Sequence, residues 1–149
     1  MYKFSQSSLD ELKTCEQDLQ EILKLAITRS VIDFGISEGH RSIERQQFLY
    51  NQGRTTPGNI VTNVDGINKK SKHNYYPSRA MDVFAYVPGR GVVYDDIYMG
   101  YLAGLFDSIS KELKAAGKIK ATLRWGGNWD GDGELKTDQK LVDLPHFEI

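Results

Sequence analysis

The sequence predicts an α+β fold, in which helices pack on one face of a small, mostly antiparallel sheet. Three segments of the 149-residue chain carry apolar residues at helical spacing. Shorter segments between and after them read as strands. In chain order the elements are helix, strand, helix, loop, strand, helix, strand, loop and strand. The length fits one domain over residues 1–149.

The first helix is predicted to begin at Ser8, because Ser8 and Glu11 have the pattern of a capping box. Its apolar positions at helical spacing are Leu9, Leu12, Leu19, Ile22, Leu23 and Ala26. The next element is a half-buried strand over residues 31–37. Its apolar face consists of Ile32, Phe34 and Ile36.

The second helix is predicted from Ile43 to Gln52, with Ser42 as its N-cap. We expect Phe48 and Leu49 to face inward from this helix. Residues 53–70 are rich in Gly, Asn and Thr and predict a loop that is long for a compact domain. Long loops often carry function, so this one is a candidate wall of a substrate groove.

A strand over Ala80–Val87 is the clearest β segment, because its two faces differ sharply. One face is uniformly apolar and should contact the core: Met81, Val83, Ala85 and Val87. Asp82 lies on the opposite face, where a cleft can form. Two more strands are predicted at Ala121–Trp125 and at His146–Ile149.

The last long helix is predicted to begin at Asp95 or Asp96 and to run to about Ala116, with Gly117 as its C-terminal stop. Its predicted buried stripe consists of Ile97, Leu102, Leu105, Phe106, Ile109 and Leu113. Together with the strands before and after it, this helix completes the predicted two-layer arrangement.

Composition and charge exclude several classes of partner. The net charge is −1, so the sequence implies no electrostatic preference for nucleic acid or an anionic membrane surface. No apolar run approaches the ~20 residues that cross a bilayer, and the first residues lack the apolar region of a signal peptide. Cys15 is the single cysteine, so no internal disulfide is expected. We therefore expect the protein to stay in the cytoplasm unless another factor releases it. We also expect a monomer.

Two short clusters, residues 71–82 and 143–148, contain the side chains that could bind a metal ion or take part in catalysis. The first contains His73 and Asp82, and the second contains His146. Two imidazoles and a carboxylate are enough protein ligands for a catalytic zinc ion, which keeps its fourth position open for water. The sequence therefore predicts a zinc site at these three residues.

The residue pattern of these clusters resembles that of the M15 family of zinc peptidases. The shared features are Ser-x-His and Ala-x-Asp in residues 71–82, followed by Asp-x-x-His in residues 143–146. The resemblance extends from about Gly35 to the end of the chain, and it is greatest to the phage L-alanyl-D-glutamate endolysins. It implies an α+β zinc domain related to hedgehog-type and D-Ala-D-Ala peptidase domains. The implied substrate is the peptidoglycan stem peptide, cut between L-Ala and D-Glu during host cell lysis.

The same resemblance implies roles for residues around the zinc ligands. Asp143 occupies the position of the catalytic base. Arg41 is implied to stabilise an oxyanion or a substrate carboxylate. Gln46, Ser71 and Trp125 are implied to contact the substrate, and Ser71 is also a candidate for orienting a ligand.

Two other functions are consistent with the sequence. One is a D-Ala-D-Ala carboxypeptidase, and the other is a zinc-stabilised cell-wall-binding module without catalysis. Asp143 argues against the binding module, because a structural zinc needs no base.

A second metal site is predicted in residues 128–134. Oxygen-bearing side chains occupy positions 1, 3, 5 and 7 of an EF-hand-like loop, at Asn128, Asp130, Asp132 and Glu134. Gln139 stands at position 12, where a bidentate Glu is usual. The segment is equally consistent with a polar, glycine-rich turn that binds no calcium.

Overall fold

The computed structural model describes all residues, Met1–Ile149, and confirms the predicted α+β class. The helices are α1 (Gln6–Leu12), α2 (Gln17–Arg29), α3 (Ile43–Asn51) and α4 (Asp96–Ala115). The strands are β1 (Asp33–Glu38), β2 (Ala80–Val87), β3 (Gly91–Val93), β4 (Arg124–Trp125) and β5 (His146–Glu148). A single 3₁₀ turn covers Lys72–Asn74. None of the helices is both long enough and apolar enough to cross a bilayer.

All strand pairs are antiparallel, and the sheet order is β1-β2-β5-β4. The short strand β3 pairs with the end of β2, opposite β1. On the predicted apolar face of β2, Met81, Val83 and Ala85 are fully buried, and Val87 is partly buried against the core. Helices α2 and α4 pack against each other, and their apolar residues join the core on that face. The opposite face of the sheet is left free to carry Asp82.

The predicted first helix is two helices, because the chain leaves helical geometry around Cys15. There the backbone pairs with Ser78: Ser78 N–H donates to Thr14 O at 2.7 Å, and Glu16 N–H donates to Ser78 O at 2.8 Å. This bridge joins the start of the chain to the segment that leads into β2. These two backbone hydrogen bonds to a distant segment break the helix, although the apolar spacing of the sequence would allow it to continue.

The predicted capping box at Ser8 and Glu11 is also wrong. Ser5 is the N-cap of α1, and its side chain accepts a hydrogen bond from Ser8 N–H. The buried Ser8 hydroxyl instead accepts from Ile36 N–H at 3.0 Å. Glu11 accepts from Gly39 N–H at 2.8 Å. Both side chains therefore attach α1 to strand β1 and the turn that follows it.

Helix α3 begins after Ser42, whose hydroxyl accepts from Arg45 N–H, as predicted. The inward position of Phe48 is wrong, since this side chain is 60% exposed and lies under the Arg45 guanidinium. The buried residue of α3 is the polar Gln46. Ile97 of α4 is likewise 84% exposed, and Met99 holds the buried position in that turn.

Strand β4 covers two residues, although five were predicted. The backbone N–H groups of Lys120 and Ala121 donate to the Asp18 carboxylate, at 2.9 and 2.8 Å, and so have no strand partner. Strand β3 was not predicted, because three residues after a turn carry too little alternation to be recognised.

Candidate metal and catalytic site

Three elements bring the predicted metal ligands together. Strand pairing places Asp82 of β2 directly beside His146 of β5. His73 comes from the 3₁₀ turn, whose N-cap Ser71 accepts a hydrogen bond from His73 N–H. Ser71 therefore helps to orient His73, a predicted metal ligand, by a hydrogen bond to the His73 backbone. His73 and His146 are 1% and 7% exposed, so both residues are buried.

The three donor atoms form a tight triangle. His73 Nε2 lies 3.2 Å from Asp82 Oδ1 and 3.2 Å from His146 Nδ1, and His146 Nδ1 lies 3.1 Å from Asp82 Oδ1. Two imidazole nitrogens and a carboxylate oxygen are typical zinc donors. These residues form a triad that could hold a metal ion, and it is called the metal-binding triad below.

The atoms on the far side of each ligand are fixed by other groups. His73 Nδ1–H donates to Gly39 O at 2.6 Å, since a carbonyl can only accept. His146 Nε2 lies 2.9 Å from Glu148 Oε2, and Arg41 Nη2 donates to Asp82 Oδ2 at 3.2 Å. This arrangement turns the lone pairs of the inner three atoms toward one point. Such partners hold ligands in a metal-ready orientation, and the donor set fits a cation at their centre.

The pKa shifts within the triad also favour a positive charge at this point. Burial lowers the pKa of His146, but its hydrogen bonds to Asp82 and Glu148 outweigh burial and raise the pKa to about 9. Burial raises the pKa of Asp82, but His73 and His146 together hold it far below its usual value. Without a metal ion, a proton on His146 therefore supplies the charge that the carboxylates demand.

Arg41 lies against the triad and is 8% exposed. Its guanidinium donates to Glu38 from Nε at 2.9 Å and from Nη2, to Asp82 from Nη2, and to Gln46 Oε1 from Nη1 at 3.0 Å. These bonds occupy four of the five N–H groups that an arginine has. One Nη1 hydrogen is left, and the side chain borders the cavity.

Asp143 is the carboxylate of the site that has no hydrogen-bond partner. Its backbone is fixed, because Asp143 N–H donates to Gly126 O at 3.0 Å and Asp143 O accepts from His146 N–H at 3.1 Å. Burial raises the pKa of Asp143 to about 6, and the nearby negative charge of Asp82 adds to this effect. A half-buried, unpaired carboxylate with a raised pKa is suited to accept and return a proton.

A cavity of about 720 Å³ opens above the triad. One wall is formed by residues 61–64 and 69–72, which belong to the predicted loop and the segment after it. Residues 138–141 also line the cavity, with Trp129 and Asp143. The ring of Trp129 lies 5.3 Å from that of His146. The cavity is large enough for a peptide segment and reaches the metal-binding triad.

Two predicted substrate residues do not border this cavity. Gln46 is 0% exposed and has its polar atoms bonded inside the protein. Trp125 donates its indole N–H to Leu144 O at 2.7 Å and stacks on Phe147. Ser71 does border the cavity. Trp129 was missed because a single aromatic residue in a glycine-rich loop has no periodicity that reveals its direction.

The predicted calcium loop brings together a different set of oxygens. The carboxylates of Asp130, Asp132 and Asp138 lie within 4.8 Å of one another, and all three are exposed. Asn128 Oδ1 instead accepts from Gly131 N–H, and Glu134 accepts from the Thr137 hydroxyl at 2.6 Å. Asp138 thus takes a place in the cluster that the sequence pattern assigned to Asn128 and Glu134. No helix flanks the loop.

Comparison with known proteins gives a consistent result. The family model for the phage L-alanyl-D-glutamate peptidases matches residues 1–149. The peptidoglycan L-alanyl-D-glutamate endopeptidase CwlK of Bacillus subtilis (strain 168) is 34% identical over 131 residues, which cover 87% of this chain and 68% of CwlK. The L-alanyl-D-glutamate peptidase of Escherichia phage T5 is 24% identical over 151 aligned positions, covering 99% of this chain and 98% of the phage protein. The crystal structure of the Serratia marcescens L-Ala D-Glu endopeptidase ChiX superposes with a TM-score of 0.70 and 24% identity, covering 99% of this chain and 90% of ChiX.

Proposed function

The chain belongs to the phage L-alanyl-D-glutamate peptidase family, and from this membership we propose that it is a zinc-dependent endopeptidase of peptidoglycan. It cuts the stem peptide between L-Ala and D-Glu. The observation that carries the proposal is the pairing of a metal-binding triad with an unpaired carboxylate in one cavity. A site built only for metal binding does not need Asp143.

His73, Asp82 and His146 are the residues that would hold the zinc ion. When bound, zinc supplies Lewis acidity to the scissile carbonyl and to a water molecule. Gly39, Glu148 and Arg41 keep the three ligands oriented through the hydrogen bonds on their far sides. Loss of such partners typically weakens metal binding by about 10–100-fold.

The chain's own residues perform the proton transfers. Asp143 accepts a proton from the attacking water as the new C–O bond forms, and it returns the proton to the departing nitrogen of D-Glu as the peptide C–N bond breaks. The products are a stem peptide with a free amino group on D-Glu and a free carboxylate on L-Ala. General acid–base catalysis of this kind contributes about 10²–10⁴-fold to the rate.

Arg41 is the group suited to the negative charge that develops on the carbonyl oxygen. Arg41 borders the cavity and has one Nη1 hydrogen without a partner, while its other N–H groups are already bonded. Because the guanidinium is held by Glu38, Asp82 and Gln46, it does not reorganise during the reaction. Such preorganised donors are among the largest contributions to catalysis.

We extend the proposal to calcium, which the cluster of Asp130, Asp132 and Asp138 would bind. The cluster lies in the loop that also carries Trp129, so bound calcium would order one wall of the cavity. Calorimetric titration of calcium into the zinc-loaded protein tests this. An absence of heat with no change in activity removes the calcium site.

The proposed activity places the protein's substrate outside the cytoplasm. We propose that a monomer accumulates in the host cytoplasm and reaches the cell wall when a separate factor permeabilises the membrane. Fractionation of infected cells before and after permeabilisation tests this, and protein found in the wall fraction before permeabilisation would contradict it.

Zinc dependence is tested by removing and restoring the metal. The chelated protein should release no peptide from purified peptidoglycan, and one equivalent of zinc should restore release. Full activity after chelation, with the metal content shown to be near zero, would contradict the zinc mechanism. Release of D-Ala in place of new D-Glu amino groups would favour the D-Ala-D-Ala carboxypeptidase.

A further inference from the structure

Gln46 joins two parts of the molecule that are far apart in the sequence. Its Oε1 accepts from Arg41 Nη1 at 3.0 Å, and its Nε2 donates to Val64 O at 2.7 Å and to Thr62 Oγ1 at 3.2 Å. Both amide hydrogens and the carbonyl are therefore used. The side chain is 0% exposed, so it acts without contacting substrate.

The wall side of this connection belongs to a long segment without helices or strands. Residues 53–70 contain turns and bends, and Thr62 and Val64 border the cavity. Gly66, at φ +80, passes so closely over Gln46 that an added Cβ would lie 3.0 Å from Gln46 Cγ. The amide of Gln46 is thus an internal support for a wall that has little regular structure of its own.

The other side of the connection is the arginine of the catalytic centre. Glu38 and Asp82 hold Nε and Nη2 of Arg41, and Gln46 holds Nη1. Nη1 carries the one N–H of Arg41 that has no partner. Because the guanidinium is planar, fixing one Nη1 hydrogen also fixes the direction of the other.

We propose that Gln46 is a positioning residue that sets the cavity wall at Thr62–Val64 and the Arg41 guanidinium together. If the wall moves, it displaces the same amide group that orients Arg41. The position of a substrate bound against the wall and the direction of the Arg41 guanidinium therefore change together. This inference rests on the proposed peptidase function for its kinetic consequences. Its structural part, the coupling of wall and arginine, is independent of that function.

Gln46→Met tests the coupling, because methionine keeps the length of the side chain and removes all three hydrogen bonds. We expect kcat to fall at least about tenfold, since a hydrogen bond to a charged group is worth a factor of about ten or more. KM should rise, and amide hydrogen exchange should accelerate in residues 61–66. Zinc content should stay at one per chain.

Gln52 provides a matched control on the same loop. Its Nε2 donates to Asn59 O at 2.9 Å, so it also attaches helix α3 to the loop, but it has no bond to Arg41. Gln52→Met should accelerate exchange near residue 59 and leave kcat within about twofold. An equal loss of kcat in Gln46→Met and Gln52→Met would overturn the proposal, because loosening of the loop alone would then explain both.

Two milder variants separate the two ends of the connection. Gln46→Glu keeps the acceptor for Arg41 and loses the donors to the wall, so kcat should recover relative to Gln46→Met while exchange in 61–66 stays fast. Thr62→Val removes one of the two bonds from Gln46 to the wall, together with the bond from Val64 N–H to the same hydroxyl, and should raise KM more than it lowers kcat. The proposal fails if Gln46→Glu recovers none of the kcat.

A measurement without turnover separates this proposal from the proposed function. Proton exchange of the Arg41 guanidinium, followed by NMR, should accelerate in Gln46→Met and stay unchanged in Gln52→Met. If the wild type cleaves no wall substrate, and guanidinium exchange is nevertheless faster in Gln46→Met than in Gln52→Met, the peptidase proposal fails and the coupling stands. If the guanidinium exchanges at the wild-type rate in Gln46→Met, the coupling fails whatever the activity.

Discussion

His146 links metal binding to pH at the scale of a single side chain. Its pKa of about 9 results from the hydrogen bonds to Asp82 and Glu148, which outweigh burial. At pH 7 the metal-free protein therefore carries a proton on the ring, and a metal ion must displace it. We expect zinc binding at pH 7 to release about one proton and its affinity to rise with pH up to about 9. Calorimetry in buffers of different ionisation enthalpy measures this proton, and binding without proton release would contradict the prediction.

Asp143 separates catalysis from metal binding. Asp143→Asn keeps the size of the side chain and cannot accept the proton of the attacking water. Peptidoglycan cleavage should fall by about 10²–10⁴-fold, while zinc stays near one per chain. His146→Ala is the comparison variant, and it should lose the metal as well. Wild-type cleavage by Asp143→Asn would assign the base to another residue.

Asp143 should also cost stability in the metal-free protein. Its pKa rises from 3.8 to about 6 on folding, mainly through burial. Stability is therefore lost as the pH rises from about 4 to 6, because the unfolded chain ionises first. At pH 7 the metal-free Asp143→Asn variant should melt at a higher temperature than the wild type. The expected increase is about 2–4 °C for each kcal/mol by which removal of the buried charge raises the free energy of unfolding. The difference should disappear below pH 4, and equal melting temperatures at pH 7 would contradict the prediction.

At the scale of elements, strand register assembles the site. Asp82 pairs with Glu38 on one side and with His146 on the other, across β1, β2 and β5. The register between β1 and β2 shifts between Ile36 and Glu38. That shift directs Glu38 to the face where it contacts Arg41. A one-residue slip in either pairing would turn these side chains to the opposite face of the sheet.

The contact between Gly126 and Asp143 gives a prediction at this scale. A Cβ at Gly126 would lie 2.1 Å from the backbone oxygen of Asp143, so the two segments must separate. Gly126→Ala should cost about 1–3 kcal/mol of stability and lower cleavage by at least about tenfold. Thermal melting and peptidoglycan release measure the two effects.

Gly100 serves as the control for this substitution. An added Cβ at Gly100, within α4, meets nothing within 4 Å. Gly100→Ala should raise stability by about 0.5–1 kcal/mol through helix propensity and leave cleavage unchanged. Similar effects of the two substitutions would remove the close approach of Gly126 as their explanation.

At the scale of the whole molecule, the sequence predicted what depends on local pattern. The alternation of β2, the Ser42 cap and the α+β class all follow from residues close in sequence. The grouping of His73, Asp82 and His146 was predictable from two short clusters, because both clusters match the pattern of one peptidase family.

The missed features depend on contacts between distant segments. The break at Cys15 follows from backbone pairing with Ser78, and the burial of Gln46 follows from bonds to Arg41 and Val64. No local pattern reports such contacts. The direction of Trp129 is also set by distant groups, since its indole N–H donates to Leu141 O.

The bond cut in the stem peptide is the central claim about the whole molecule. Purified peptidoglycan is digested with the zinc-loaded protein, and the new termini are identified by mass spectrometry, with Asp143→Asn as the inactive control. The account predicts new amino termini on D-Glu and new carboxyl termini on L-Ala, in equal amounts. Release of free D-Ala, or an unchanged set of termini from a protein that holds one zinc per chain, would contradict it.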